Sequence, residues 1–124
     1  MENLYREHIL DHYGNPRNQG RLEDADISCE WDNPVCGDVV RLDIRLKDGR
    51  VSEARFDGQG CVISMASASM FTEEILGKTV EELKALAEED MFRMLGITLG
   101  PARANCGLLP LRVLREGLAH WEET

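Results

Sequence analysis

The clearest alternation of apolar and polar positions lies in the first half of the chain. Residues 40–46 alternate Val, Leu, Ile and Leu with charged side chains, which is typical of a strand with one buried and one solvent-facing side. Asp48-Gly49 follows and predicts a hairpin turn. The return strand, residues 51–56, is less regular, which predicts a bulge near Ser52-Glu53. A shorter alternation in residues 27–31 predicts another strand, so the pattern indicates a small antiparallel sheet.

Apolar residues spaced three or four positions apart predict helices before and after these strands. The predicted helical segments are Glu2–Tyr13, Cys61–Leu76, a helix capped by Thr79 and Glu82, a short turn around Met91–Leu95, and Cys106–Trp121. Pro110 is tolerated only in a first helical turn, so we expect Cys106 at the N-terminus of the last helix. Because helices follow the strands without alternating with them, the predicted class is α+β.

Length and charge restrict the possible functions. The 124 residues predict a single domain that spans 1–124. A net charge of −9 disfavours a nucleic-acid partner, which would need a basic surface. There is no apolar run of signal-peptide or membrane length, so we expect no membrane partner and a cytoplasmic location with reduced thiols.

Candidate chemistry rests on Cys36, Cys61 and Cys106, which lie far apart in the chain and form no Cys-x-x-Cys pair. Any shared site must therefore be assembled by the fold. With Asp38, two positions after Cys36, they make a set of three thiolates and one carboxylate that zinc and iron both accept. Predicted helix starts at Cys61 and Cys106 favour their thiolate forms. At this point three separate buried cysteines remain the alternative.

Other reactive side chains are interpreted as structural. Cys29 lies on a predicted strand face and is interpreted as an inert core thiol. His8 and His12 stand four apart on the first helix but have no third ligand in view, so we expect an exposed pair. Three serines have no neighbouring His-Asp arrangement, so they are interpreted as packing or helix-surface residues: Ser64, Ser67 and Ser69.

Four segments together carry a family resemblance. They are His12–Asn18 (HYGNPRN), Asn33–Asp38 (NPVCGD), Gly58–Cys61 (GQGC) leading into MASAS, and Cys106 followed by Leu108-Leu109. With these motifs the chain resembles the U-type iron–sulfur cluster assembly scaffolds over nearly its whole length. That family has a general, a nitrogen-fixation and a sulfur-mobilisation branch.

The resemblance implies a three-stranded antiparallel sheet covered by helices. It also implies that Cys36, Cys61 and Cys106 match the family's cluster or zinc ligands and that Asp38 matches its motif aspartate. Asn105 stands where the general branch has a histidine, which favours Asp38 as the fourth ligand. Because an oxygen ligand holds a cluster less firmly than thiolate, we expect Asp38 to favour release.

The resemblance further implies partners and a cargo. A cysteine desulfurase would supply sulfur, and acceptor proteins would receive a transient cluster of the 2Fe-2S type. The chain has LGPAR at residues 99–103 where the general branch carries a Leu-Pro-Pro-Val-Lys stretch read by a dedicated Hsp70 chaperone, so we do not expect that partner.

Three functions remain open from the sequence. The favoured one is a scaffold without enzymatic activity. The alternative is a zinc-dependent sulfurtransferase in which Cys106 accepts persulfide sulfur, and the serine-rich segment after Cys61 favours it. The segment between Cys61 and Cys106 nevertheless lacks the insertion typical of the sulfur-mobilisation branch. The third is a structural zinc site in an interaction domain.

Overall fold

A small antiparallel sheet forms the centre of the computed structural model, which describes residues 2–33, 37–97 and 99–123. Within these ranges the strands are β1 (Ile27–Asn33), β2 (Asp38–Lys47) and β3 (Arg50–Gln59), in the order β1-β2-β3. The helices are α1 (Glu2–Gly14), α2 (Val62–Glu74), α3 (Val80–Lys84), α4 (Glu88–Leu95) and α5 (Pro101–Glu123). The predicted α+β class with a three-stranded antiparallel sheet is confirmed for the described residues.

The β2–β3 hairpin follows the sequence pattern closely. Asp48 and Gly49 both adopt positive φ, of 55° and 77°, as a tight hairpin turn requires. Arg45 pairs with Glu53 while the next residue of β2 pairs with Val51, so β3 carries an extra residue, Ser52. The predicted bulge is therefore confirmed at that position.

The buried face of the sheet is covered by α2 and α5. Val40, Leu42 and Ile44 lie on that face and are almost fully buried. Helix α2 is buried over most of its circumference, since small residues such as Ala66 and Ala68 let it lie against its neighbours. Because α2 contacts the sheet, α1 and α5, its N-terminus is held at one defined end of β2.

The predicted start of the last helix is wrong. Helix α5 begins at Pro101, where a proline fits the first turn, and Pro110 lies inside it. Pro110 lacks the N–H that would bond the carbonyl of Cys106, and the next carbonyl, of Gly107, accepts a hydrogen bond from Ser67 Oγ at 2.8 Å. A side chain from α2 thus supports the interrupted turn, and Cys106 lies inside α5 rather than at its N-terminus.

The predicted capping box and the predicted helix start at Cys61 are both confirmed. Thr79 caps α3, with its hydroxyl accepting from the Glu82 N–H at 3.1 Å and the Glu82 carboxylate accepting from the Thr79 N–H at 3.0 Å. Helix α2 is capped by Cys61. In the part of the chain that the structure describes, no helix combines the length and hydropathy that spanning a membrane requires.

Gly58 is predicted to be intolerant of a side chain. Its φ is 142°, and a Cβ there would lie 2.0 Å from the Val39 carbonyl oxygen, which is backbone and cannot move aside. Gly49 has φ 77° with open space, so Gly49→Ala adds conformational strain alone. We expect Gly58→Ala to lower the free energy of unfolding by at least about 3 kcal/mol and Gly49→Ala by about 1–2 kcal/mol. Urea denaturation followed by circular dichroism measures both, and equal losses would contradict the expected clash.

Candidate metal centre

Three potential metal ligands from different elements meet at one end of the sheet. Asp38 is the first residue of β2, Cys61 immediately precedes α2, and Cys106 projects from α5. Their ligand atoms all lie within 4.8 Å of one another. Asp38 and Cys106 are buried while Cys61 is exposed, so the group opens to solvent on the Cys61 side. Cys36, the other predicted ligand, lies outside the described residues.

Cys61 occupies the position predicted for it, at the start of a helix. It is the N-cap of α2, with extended backbone angles, and its Sγ accepts a hydrogen bond from the Ser64 N–H at 3.4 Å. The positive end of the α2 dipole faces this sulfur. Because Cys61 is exposed, its sulfur can be reached from solvent at the start of the helix.

Asp38 is held by two donors and by the absence of a side chain opposite. Its Oδ1 accepts from the Cys61 N–H at 3.0 Å and its Oδ2 accepts from Ser64 Oγ at 2.5 Å. A Cβ on Gly60 would lie 2.6 Å from Oδ1, so only glycine allows the carboxylate to lie against the backbone there. The Gly58-Gln59-Gly60 segment lies at the end of β3 and also makes room for Asp38.

The charge of Asp38 depends on these hydrogen bonds. Burial by itself raises the pKa of the carboxyl, but the bonds from Ser64 Oγ and the Cys61 N–H outweigh burial and leave the pKa below the ordinary value of 3.8. Asp38 is therefore an ionised carboxylate at neutral pH, the form that binds a cation.

Cys106 has the opposite electrostatic setting, which corrects a prediction. The side chain is 4% exposed, and burial, together with its Cys61 and Asp38 neighbours, raises its pKa to about 12. The predicted helix-start thiolate at Cys106 is wrong because the residue lies inside α5 and is desolvated. Metal-free Cys106 is a neutral thiol, which must lose a proton when it binds a cation.

Ser64 is the residue of this centre that sequence reasoning missed. It is fully buried, and its Oγ lies 3.5 Å from Cys61 Sγ while it donates to Asp38. The signal was its place three residues after a helix-capping residue, where the backbone N–H points back at the cap. Ser67 and Ser69 are buried in packing contacts between helices, in agreement with one of the interpretations of these serines.

Asn105 and Cys29, which the sequence also singled out, have contacts outside the group of ligands. The Asn105 Oδ1 accepts from Arg112 at 3.0 Å, and the Arg112 guanidinium lies 5.9 Å from the centre of the Trp31 ring. The Asn105 side chain is thus held by Arg112, another residue of α5. Cys29 is half-buried against the core, and burial raises its pKa, in agreement with its interpretation as a packing thiol.

The predicted exposure of the histidine pair is wrong for His12. His8 is exposed, but His12 is 2% exposed and its Nδ1 lies 2.7 Å from Ser69 Oγ. Burial lowers the pKa of His12, with further lowering by Arg17 and His8. Helical spacing placed both histidines on one helix but did not show that α2 covers one of them.

Comparison with known proteins identifies the family. The profile of the NifU-like N-terminal domain matches residues 4–124. The chain belongs to this family. The zinc-dependent sulfurtransferase SufU of Bacillus subtilis (strain 168) is 39% identical over 139 aligned positions, which cover 98% of this chain and 94% of that protein. The iron–sulfur cluster assembly scaffold protein IscU of Thermotoga maritima is 38% identical over 131 positions, covering 93% of this chain and 92% of that protein.

A solved structure of the family has the same fold. The nitrogen-fixing NifU-like protein (N-terminal) from Brucella abortus superposes with a TM-score of 0.79 at 25% identity, covering 99% of this chain and 97% of that chain. The family resemblance inferred from the motifs is thus confirmed, and so is the fold that it implied.

Ser64→Ala is predicted to destabilise the metal-free protein in a pH-dependent way. A hydrogen bond to a buried charge contributes about 1.5–3 kcal/mol, so we expect the free energy of unfolding to fall by about that amount at neutral pH. The lowered pKa of Asp38 means that its stabilisation is complete above 3.8 and is lost as pH falls through the folded pKa. The difference between variant and wild type should therefore narrow at acid pH.

Urea titrations between neutral pH and about pH 3 measure this difference. Exposed Ser52, whose hydroxyl donates to the Arg45 carbonyl, provides the control, because Ser52→Ala should change stability by no more than about 0.5 kcal/mol. A Ser64→Ala loss that is constant across this pH range would contradict the assigned role of the Asp38 charge.

Proposed function

We propose that the chain is an iron–sulfur cluster assembly scaffold that accepts sulfur from a cysteine desulfurase, builds a labile cluster and passes it to acceptor proteins. The observation that carries this proposal is the meeting of Asp38, Cys61 and Cys106 within 4.8 Å, open to solvent on one side. Cys36 is proposed as a further ligand from the family resemblance and from its position two residues before Asp38. A reducing cytoplasm is the location that keeps this thiol set available.

The donor set fits such a cargo. Thiolates are the usual ligands of iron–sulfur clusters and also of zinc, and one carboxylate completes a set of mixed hardness. The exposed Cys61 leaves one side of the centre open to a partner, while Cys106 and Asp38 form its floor. A structural zinc site does not require access for a partner, whereas this centre has an exposed ligand. The interaction-domain function is therefore not proposed further.

Cys61 is the thiol best placed to receive sulfur first. It is exposed and caps α2, whereas Cys106 is buried and protonated when metal-free. The Cys61 thiolate would attack the outer sulfur of the desulfurase persulfide. The sulfur–sulfur bond would break, the desulfurase cysteine would leave as a thiolate, and Cys61 would carry the persulfide. Reduction of that sulfur to sulfide for a cluster takes two further electrons from an external reductant.

Asp38 is proposed to favour release of the cluster. Both carboxylate oxygens already accept hydrogen bonds inside the protein, from the Cys61 N–H and from Ser64. A cation bound through either oxygen competes with these hydrogen bonds. The hydrogen bonds can form again when the cargo leaves. A carboxylate is also a harder ligand than thiolate and holds a cluster less firmly.

The second candidate function is a zinc-dependent sulfurtransferase, which is favoured by the 39% identity to the Bacillus subtilis relative of that name. Cys36, Asp38, Cys61 and Cys106 would hold the zinc, which would stabilise its cysteine ligands as thiolates. In both functions the desulfurase supplies sulfur at the same open face. A dedicated Hsp70 chaperone is not proposed as a partner, because residues 99–103 depart from the stretch that it reads.

Cluster assembly is tested with protein purified without oxygen and supplied with iron, cysteine and a cysteine desulfurase. We expect visible absorption from a bound cluster in wild type and its loss in Cys61→Ala and Cys106→Ala, because each variant removes one thiolate. The half-buried Cys29 lies outside the centre, so Cys29→Ala should assemble a cluster normally. A colourless protein with one tightly held zinc, and no cluster after reconstitution, would reject the scaffold function and leave the sulfurtransferase.

Removal of the carboxylate tests the proposed release mechanism. We expect a cluster on Asp38→Ala to persist several times longer than on wild type during transfer to an acceptor apoprotein. Absorption spectra recorded during the transfer measure its lifetime. The exposed Asp24 lies outside the group of ligands, so Asp24→Ala is the matched control and should behave as wild type. An unchanged or shorter lifetime in Asp38→Ala would contradict a role of this carboxylate in release.

A further inference from the structure

A second group of metal-binding side chain types lies between α1 and α2, away from the cysteines. The imidazole rings of His8 and His12 stand edge to face, with centroids 4.6 Å apart and planes at 79°. Glu73 of α2 reaches the same place, with its Oε1 3.6 Å from His12 Nε2. The third side chain that the helical spacing of the histidines lacked is thus supplied by another helix.

His12 is oriented by the fold. It is 2% exposed, and its Nδ1 lies 2.7 Å from the hydroxyl of Ser69, which also accepts the backbone N–H of Arg17 at 2.8 Å. These contacts fix the ring and leave Nε2 directed at the Glu73 carboxylate. A metal-binding histidine is usually held by a hydrogen bond at one ring nitrogen while the other nitrogen binds the ion, and the Ser69 contact holds His12 through Nδ1 in this way.

The space beside these groups is open and its charge is negative. A surface cavity of about 370 Å³ is lined by His8, His12, Met70, Glu73, Glu74 and Met94. Two of the lining residues are carboxylates, and the lining contains no lysine or arginine. The nearby Arg17 guanidinium is paired with Asp11 at 2.5 Å. A cation entering this cavity would meet two imidazoles and carboxylate oxygen without a competing positive side chain in the lining.

We propose that His8, His12 and Glu73 bind one divalent transition-metal cation of the class that accepts imidazole nitrogen and carboxylate oxygen, such as Co²⁺, Zn²⁺ or Fe²⁺. His8 is exposed and the Glu73 side chain is 52% exposed, so both can rotate toward the fixed His12. This rotation is required because the ligand atoms of His8, His12 and Glu73 are not all within 4.8 Å of one another. Among the described residues, the group that meets this distance is the one around Cys61.

The two centres are separate. Glu73 comes twelve positions after Cys61, which is a distance of about 18 Å along the axis of α2. One ion therefore cannot bridge both. A cation held by His8, His12 and Glu73 would join α1 to α2, whose other polar contacts here include the His12–Ser69 bond.

Stoichiometric titration tests this site. Tag-free protein without oxygen would first receive one equivalent of Zn²⁺, which occupies the thiolate centre, and would then be titrated with Co²⁺ by calorimetry and absorption. We expect a second equivalent to bind wild type without the intense near-ultraviolet bands of cobalt–thiolate bonds. His8→Gln and Glu73→Gln each remove one exposed ligand and should weaken this second step about tenfold or more. The exposed His120 on α5 provides the control variant His120→Gln, which should bind both equivalents as wild type does.

Each result decides the proposal. A Co²⁺ step that is present in wild type and His120→Gln but weakened in His8→Gln and Glu73→Gln supports it. Absence of a second equivalent in wild type overturns it, as does an unchanged second step in His8→Gln. Strong cobalt–thiolate bands in the second step would also overturn it, because they would place the ion on cysteine sulfur.

Discussion

The contact on which the rest of the site depends is the clasp between the Asp38 carboxylate and the start of α2. Asp38 opens β2, and its two oxygens accept from the Cys61 N–H and from Ser64 Oγ. The clasp joins the end of the sheet to the N-terminus of the helix that crosses it. It forms only because Gly60 has no side chain, since a Cβ there would lie 2.6 Å from Oδ1. A single interaction thus positions a strand, a helix and two candidate ligands.

Helix α5 brings the remaining described ligand to this clasp. Pro110 interrupts the hydrogen bonding of α5 close to Cys106, and Ser67 of α2 bonds the Gly107 carbonyl at 2.8 Å. The serine-rich face of α2 therefore serves two purposes, because Ser64 holds Asp38 while Ser67 holds α5 beside it. Small hydroxyl side chains allow close packing of the helices and still satisfy buried polar atoms.

The metal-free centre combines groups of opposite tendency. Asp38 is kept ionised by hydrogen bonds, whereas burial and negative neighbours keep Cys106 protonated. Direct coordination to a cation would stabilise the thiolate form of Cys106 and so offset the free-energy cost of its deprotonation. The centre thus offers a cation one carboxylate and one thiol that ionises on binding, which suits a protein that takes up and releases its cargo.

Periodicity and turn chemistry predicted much of the fold, because both depend on neighbours in the chain. The alternation of residues 40–46, the Asp48-Gly49 turn and the bulge at Ser52 all follow from local sequence. Cys61 at a helix start was predicted for the same reason. The start of α5 was wrong because Pro110 was taken as a first-turn residue, whereas a long-range bond to Ser67 supports the interrupted helix.

The sequence by itself determined which residues could form a metal centre, since residue type and motif decide which side chains can act as ligands. Only the tertiary structure decided their charge and access. Whether Cys106 is a thiolate, whether His12 is exposed, and which hydroxyl reaches Asp38 all depend on packing between elements distant in the chain. Local pattern does not report desolvation, because burial arises from residues that the neighbouring sequence does not contain.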